Sequence, residues 1–158
     1  MATQSLPRIS EDEYLRRDRA ADYKSELVGG EMFAMSGGSL RHSRVGMNCG
    51  IHLGSKLSGE DCRVFSRDAR IRTVLGEYVY PDVSVVCGTP LVHGGTDDLL
   101  TNPVVVIEVL SPSTTAYDRG RKFQVYRELA SLREYVLSHV KTPHVEVYSP
   151  KRSELDLP

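Results

Sequence analysis

Hydrophobic residues gather in two short runs along the chain, and each run has a carboxylate beside or inside it. The first run is VSVVC at residues 83–87, directly after Asp82, and the second is VVVIEVLS at residues 104–111, which contains Glu108. Apolar runs of this length between turn residues indicate buried β-strands. A lone carboxylate is costly to bury in such a place unless something pairs with it. Both acids therefore need partners.

The segment 39–58 has two overlapping patterns. Its middle alternates like a strand, but apolar residues also recur at every fourth position, and twenty residues without a turn signal favour a helix. Gly46, Gly50 and Gly54 form a second stripe on that helix. Either these glycines let the helix approach a sheet or another subunit closely, or packing tolerates a helix that they weaken.

The remaining segments have clearer signals. Two capping-box pairs, Ser10 with Glu13 and Thr115 with Asp118, mark the starts of helices. The capped helices are predicted at 11–19 and 116–129. The other predicted elements are a hairpin around Gly29–Gly30, a strand at 62–75, a loop at 88–103 and short strands at 134–140 and 144–149. This order of elements indicates a mixed α/β sheet with no internal repeat.

Length and composition are those of an ordinary globular protein. The chain has 158 residues, of which 40% are hydrophobic and 26% charged, and its formal net charge is -1. One domain over residues 1–158 is expected. The charge neither indicates nor excludes nucleic acid, because carboxylates that hold a metal would offset basic residues in the count. No stretch of 18 apolar residues and no secretion signal occurs, so we expect no membrane association.

The cysteines and histidines suggest neither a disulfide framework nor a zinc site. The three cysteines are Cys49, Cys62 and Cys87. Their odd number argues against paired cysteines, and a reducing cytoplasm is the expected compartment. The histidines at 93, 139 and 144 lack metal-ligand spacing with these cysteines, so no structural zinc site is expected.

Asp82 and Glu108 can converge at one edge of the sheet if their strands pair. Hard cations such as Mg²⁺ bind one or two protein carboxylates and complete their coordination with water and phosphate oxygens. The pair therefore predicts a metal site, to which Glu26 on the hairpin could add a third carboxylate or orient a metal-bound water. Hydrolysis also needs a positioned or activated water, and Lys122, one turn into the following helix, is the nearest lysine able to reach back.

Each of these residues also has an ordinary structural explanation. Asp82 follows a proline, a pair that is common in turns. Glu108 could form a salt bridge with Arg70, Arg72 or Lys122, and Lys122 could pair with a neighbouring acid on the helix surface. The hairpin acid could be solvated. The complete set, in one order along the chain, favours a site over several separate coincidences.

Four segments of the chain carry a family resemblance. They are YKSELVGGEMFAMSGGSLRHSRVGMN, YVYPDVSVVCG, NPVVVIEVLSPSTTAYDRGRKFQVYRELASLREYVL and HVEVY, and together they run from about residue 8 to 150. They resemble the Uma family of restriction-endonuclease-like proteins, which belongs to the PD-(D/E)XK nuclease superfamily. The resemblance implies a restriction-endonuclease-like α/β fold with a central mixed β-sheet flanked by helices.

The same resemblance implies roles for individual residues. Pro81 and Asp82 match the PD motif, Glu108 matches its second acid, Glu26 matches the acid of an early element, and Lys122 matches a migrated lysine.

Two further positions are compared with the family in the same way. His42 is similar to a histidine often seen after the hairpin and is a marginal site candidate. Leu110 stands where the acid-x-Lys spacing of the superfamily would place a lysine. The chain also ends soon after HVEVY, where relatives commonly continue with further strands.

The function implied by the resemblance is that of a Mg²⁺- or Mn²⁺-dependent endonuclease that cleaves DNA. A homo-oligomer, most simply a dimer, is expected because cutting two strands needs two sites. Two other readings stay open from the sequence: a catalytically inactive nucleic-acid-binding or assembly module, and a regulatory partner protein of a mobile element or defence locus. In the second case the glycine stripe would be a subunit interface.

Overall fold

The computed structural model describes residues 8–150, which contain four helices and ten strands. The helices are α1 (Glu11–Ala20), α2 (Leu40–Lys56), α3 (Thr115–Arg119) and α4 (Arg121–Arg127). The strands are β1 (Ser25–Val28), β2 (Glu31–Ala34), β3 (Cys62–Ser66), β4 (Arg70–Arg72), β5 (Tyr78–Val79), β6 (Val83–Cys87), β7 (Leu99–Leu100), β8 (Val105–Leu110), β9 (Glu134–His139) and β10 (Val145–Tyr148).

These strands form two mixed sheets of five strands each. The first sheet has the order β2-β1-β5-β4-β7, and the second has the order β10-β9-β8-β6-β3. In the second sheet β6 and β8, which hold the two apolar runs, are adjacent and antiparallel, with Val83 opposite Ile107. The predicted mixed α/β class with flanking helices is confirmed, but the strands divide between two sheets instead of one.

The chain passes from one sheet to the other close to Asp82. The single strand predicted at 62–75 is two strands, β3 in the second sheet and β4 in the first, separated by a turn at 67–69. After β5 in the first sheet, Tyr80 and Pro81 lead into β6 of the second sheet. Asp82 therefore lies at the end of the segment that connects the first sheet to the second.

The main hydrophobic core joins both sheets through α4. Its buried side chains include Val28, Ile71 and Val79 from the first sheet, Val86, Val106 and Leu137 from the second, and Val125 and Tyr126 from α4. Burying a side chain of this size contributes about 1.5–3 kcal/mol. Packing of α4 against both sheets buries Lys122 on its first turn. Within residues 8–150, no helix is long and apolar enough to cross a membrane.

The segment 39–58 is helical as predicted, and it forms α2. Ser39 caps the helix, because its Oγ accepts a hydrogen bond from the His42 N–H at 3.1 Å. The glycine stripe does not bring the helix close to the sheet. A Cβ atom at Gly46 would lie 3.8 Å from Val109, and one at Gly50 or Gly54 would meet no atom within 4 Å. Of the two alternatives, close approach to the sheet fits Gly46 alone and not Gly50 or Gly54.

One of the two predicted helix caps is correct. Ser10 Oγ accepts a hydrogen bond from Glu13 N–H at 3.3 Å and caps α1. The cap predicted at Thr115 is wrong, because Thr115 already lies inside α3 and its hydroxyl donates to the Ser111 carbonyl at 2.6 Å. The helix predicted at 116–129 is also divided in two, because the backbone at Gly120, with φ -106 and ψ -97, is not helical.

Cys62 and Cys87 form a disulfide, which contradicts the prediction of unpaired cysteines. They are 25 residues apart in sequence, but the antiparallel register of β3 and β6 sets them directly opposite each other. Cys49 is the free cysteine. The odd number of cysteines was misleading because the third, Cys49, lies on α2 and has no cysteine partner.

Candidate active site

A cavity of about 590 Å³ contains all of the residues proposed for the site from the sequence. Glu26, His42, Asp82, Glu108 and Lys122 all contribute to its lining. They come from β1, the start of α2, the entry to β6, β8 and the first turn of α4. The fold thus brings together side chains that are up to 96 positions apart in the sequence.

Asp82 and Glu108 face each other across adjacent strands. Val83 is paired with Ile107, and the same register continued by one residue sets Asp82 opposite Glu108. Side chains directly opposite on an antiparallel pair point to the same face, with Cβ atoms about 4.5–5.5 Å apart. Asp82 Oδ2 also accepts a hydrogen bond from the Val109 N–H at 2.7 Å, which fixes the carboxylate against β8.

His42 is anchored beside Asp82. Its Nε2 lies 2.9 Å from the Val109 carbonyl oxygen and 3.4 Å from Asp82 Oδ2. The hydrogen bond and the charge of Asp82 raise the pKa of His42, although burial opposes this. Burial pushes the pKa of Asp82 upward, but the contacts with His42 and the Val109 N–H outweigh it and leave that pKa below its usual value. Asp82 is therefore held in its ionised form.

Lys122 makes three contacts with its ammonium group. The Nζ atom lies 2.8 Å from Glu108 Oε1, 2.9 Å from Glu26 Oε1 and 3.0 Å from the Tyr80 carbonyl oxygen. An ammonium has three donors, so these contacts use all of them. Burial lowers the pKa of Lys122, but the two carboxylates outweigh burial and raise it above its usual range. Lys122 is a fixed cation here, and it is the salt-bridge partner of Glu108 in place of Arg70 or Arg72.

Both oxygens of Glu26 are committed to protein partners. Oε1 accepts from the Tyr80 N–H at 2.7 Å in addition to Lys122, and Oε2 accepts from the Tyr117 hydroxyl at 2.8 Å. The side chain is buried, which excludes the solvated hairpin residue considered from the sequence. These contacts suit Glu26 to holding Lys122 more than to binding an ion directly.

Glu108 keeps one oxygen uncommitted. Its Oε1 accepts from Lys122 and from the Tyr126 hydroxyl, the latter at 2.7 Å, while no described residue donates to Oε2. Likewise, no described residue donates a hydrogen bond to Asp82 Oδ1. Burial raises the pKa of Glu108 well above its usual range, and Lys122 opposes this only in part.

Asp118 lines the cavity, although its spacing from Thr115 in the sequence predicted a helix cap. Its side chain is buried and lines the cavity with the other acids. Burial raises the pKa of Asp118 to about 6. The spacing of four residues between Asp118 and Lys122 was the available signal, since it places both on one side of a helix, even though Gly120 interrupts it.

Acidic side chains outnumber basic ones in the lining of the cavity. Four carboxylates line the cavity, and Lys122 is the one lysine among its lining residues. The lining also includes His42 and Arg67, which lie on the Asp82 side. The uncommitted oxygens of Asp82 and Glu108 are the hard ligands that Mg²⁺ and Mn²⁺ prefer, and one or two protein carboxylates suffice for such ions. The residues present therefore fit a divalent cation.

Comparison with known proteins agrees with this reading of fold and sequence. The chain belongs to the Uma2 family, whose model carries the description "Putative restriction endonuclease" and matches residues 11–157. The resemblance seen in the four sequence segments is thereby confirmed.

Two cyanobacterial proteins are similar to the chain in sequence, and one crystal structure is similar in fold. "Uncharacterized protein slr1290" from Synechocystis sp. (strain ATCC 27184 / PCC 6803 / Kazusa) is 37% identical over 144 residues, which cover 90% of this chain and 75% of that protein. "Uncharacterized protein sll1609" from the same organism is 34% identical over 137 residues, which cover 86% and 77%. The crystal structure of a putative nuclease belonging to DUF820 from Anabaena variabilis ATCC 29413 matches with a TM-score of 0.74 and 20% identity, over 92% of this chain and 82% of that one. At this identity the likeness shows a shared fold.

Proposed function

We propose that the chain is a divalent-metal-dependent endonuclease that hydrolyses phosphodiester bonds in DNA. One observation carries the proposal: Asp82 and Glu108, on adjacent strands, each keep a carboxylate oxygen free in a cavity where acids outnumber the single lysine. A bound cation would stabilise the ionised form of Glu108, whose pKa burial raises. The family description and the nuclease-like fold point in the same direction.

In this proposal Asp82 and Glu108 hold Mg²⁺ or Mn²⁺. When bound, such an ion lowers the pKa of a water molecule and stabilises negative charge on the phosphate. Glu26 has a positioning role, because it fixes the Lys122 ammonium next to Glu108. With all three donors used and a raised pKa, Lys122 serves to hold Glu26 and Glu108 in place and not to remove a proton from the water.

Arg67 is proposed to contact the DNA backbone at the cavity. Its side chain is half-buried and lines the cavity, and among residues 8–150 no acid forms an ion pair with its guanidinium. An unpaired guanidinium in such a position suits a phosphate, which it can bind through two parallel hydrogen bonds. We further propose one domain over residues 1–158 and a dimer that cuts both strands.

A plasmid-nicking assay tests the proposal. The wild-type chain should nick supercoiled DNA with Mg²⁺ or Mn²⁺ and stop when the metal is chelated. Asp82→Asn and Glu108→Gln should each lose at least about 100-fold in rate, because metal stabilisation of transition-state charge is worth several kcal/mol. Glu60→Gln, which changes an exposed acid outside the cavity, is the matched control and should nick normally. Nicking that survives unchanged in Asp82→Asn would contradict the assignment.

A second function, DNA binding without cleavage, is favoured by the two ion pairs of Lys122. Lys122 already satisfies Glu26 and one oxygen of Glu108, so the cavity has internal ion pairs without any metal. A catalytically inactive nucleic-acid-binding module would bind DNA in a salt-dependent manner and show neither nicking nor Mg²⁺ binding. Isothermal titration of the protein with Mg²⁺ separates the two functions.

A further inference from the structure

The hairpin of β9 and β10 carries three metal-ligating side chains on one face. Val145 is paired with Ser138, and the same register continued by one residue sets His144 opposite His139. Glu146 follows His144 by two positions and therefore points to the same face of β10. None of the three lines the cavity that holds Asp82 and Glu108.

The ligand atoms of these side chains are close together. Glu146 Oε1 lies 2.8 Å from His139 Nε2 and 3.7 Å from His144 Nε2. All three ligand atoms lie within 4.8 Å of one another, and over residues 8–150 this is the only such group of three histidine, cysteine or acidic side chains. The acids of the cavity do not form a comparable group.

We propose that His139, His144 and Glu146 bind Zn²⁺ or a similar transition-metal ion. Two imidazoles and one carboxylate are an established donor set for zinc, with bonds of about 2.0–2.2 Å, and a tetrahedral ion therefore sets its ligands roughly 3.3 Å apart. The present separations, which reach 4.8 Å, need a shift of up to about 1.5 Å. His144 can supply it, because 60% of its side chain is exposed. Water would take the fourth position.

A protein cation now occupies the place beside Glu146. The guanidinium of Arg119 lies 2.5 Å from Glu146 Oε1 and 2.7 Å from Oε2, and its Nη2 is 3.4 Å from His139 Nε2. This cluster therefore already stabilises a positive charge. Metal binding would exchange the guanidinium for the ion. This exchange links the hairpin to the end of α3, where Arg119 precedes the break at Gly120.

Zinc titration of the full chain by calorimetry tests the proposal. Excess Mg²⁺ is present throughout, so that the carboxylates of the cavity do not take up zinc. Wild type should bind one Zn²⁺ per chain. His144→Ala should bind at least about 100-fold more weakly, because loss of a partner outside the coordination sphere alone costs 10–100-fold. Arg119→Ala should bind more tightly than wild type, since it removes the competing cation.

His52→Ala, an exposed histidine on α2, is the matched control and should titrate like wild type. Glu146→Gln provides a second ligand variant, and circular dichroism without metal checks that each variant is folded. Co²⁺ in place of zinc should give a visible absorption spectrum typical of tetrahedral coordination in wild type but not in His144→Ala. Failure of wild type to bind zinc would overturn the proposal, as would equal affinity in wild type and His144→Ala. Neither result bears on nicking by Asp82 and Glu108.

Discussion

The ammonium of Lys122 lies 2.8 Å from the carboxylate of Glu108, and only 5% and 4% of the two side chains are exposed. The same ammonium contacts Glu26 on the first sheet, so one buried cation connects β1, β8 and α4. Removing it would leave two buried acids without a compensating charge. The pair is thus important for stability as well as for any chemistry in the cavity.

Lys122→Met should destabilise the fold by about 3–5 kcal/mol, which is the usual cost of breaking a buried ion pair from one side. The double variant Lys122→Met with Glu108→Gln should recover part of this loss, because one of the two unpaired charges is then removed. Urea unfolding of both variants and of wild type measures these differences in the free energy of unfolding. Lys141→Met, at an exposed lysine, should change stability by less than about 0.5 kcal/mol. Equal stability of Lys122→Met and wild type would show that the pair is not formed.

Asp118 should make stability depend on pH. Its pKa is raised by burial to about 6 from 3.8, so the folded state binds the proton more tightly than the unfolded state. Stability should therefore fall as pH rises through this interval, and the loss is complete above the folded pKa. Asp118→Asn should be more stable than wild type by about 2–3 kcal/mol near neutral pH and similar to it below about pH 4. Urea titrations at several pH values measure this, and a constant difference at all pH values would contradict it.

The sequence predicted the parts of the fold that depend on local pattern. The apolar runs of β6 and β8 are bounded by turn residues, and α2 repeats its apolar positions over seventeen residues, so each is visible without the rest of the chain. The pairing of β6 with β8 then needed one assumption, that these two strands are adjacent in the sheet. Asp82 and Glu108 were found in this way, because an acid is conspicuous beside an apolar strand.

Features that depend on distant parts of the chain were not visible. The Cys62–Cys87 disulfide needs the register of β3 against β6, and the group on the last hairpin needs His139 opposite His144. The spacing of Asp118 from Thr115 predicted a helix cap. Its burial results from tertiary packing, which the spacing does not show. Spacing rules relate residues along one element, so they do not give the register that sets residues of two strands opposite each other.

The disulfide should stabilise the chain without affecting the cavity. It closes a loop of 25 residues at the end of β6 opposite to Asp82, and a loop of this length is worth about 3–4 kcal/mol. Replacing both Cys62 and Cys87 by serine should lower the free energy of unfolding by this amount and leave metal-dependent nicking intact. Cys49→Ser is the control that should respond to reducing agent like wild type. A chain whose stability is the same with and without reducing agent would contradict the prediction.

Arg67 should contribute to DNA affinity through the phosphate backbone alone. Its guanidinium lies at the cavity without an acidic partner among residues 8–150, whereas Arg63, on the strand that Arg67 directly follows, pairs with Asp61 and the Gly88 carbonyl. Removing one phosphate contact should weaken binding equally for all sequences and reduce the slope of log affinity against log salt by about 1. Arg67→Ala should show both effects with short duplexes in metal-free buffer, and Arg63→Ala should show neither. Because binding and nicking pass through the same phosphate, Arg67→Ala should also nick more slowly at low DNA concentration and approach the wild-type rate at saturation. An unchanged salt slope in Arg67→Ala would place the DNA on another face of the protein.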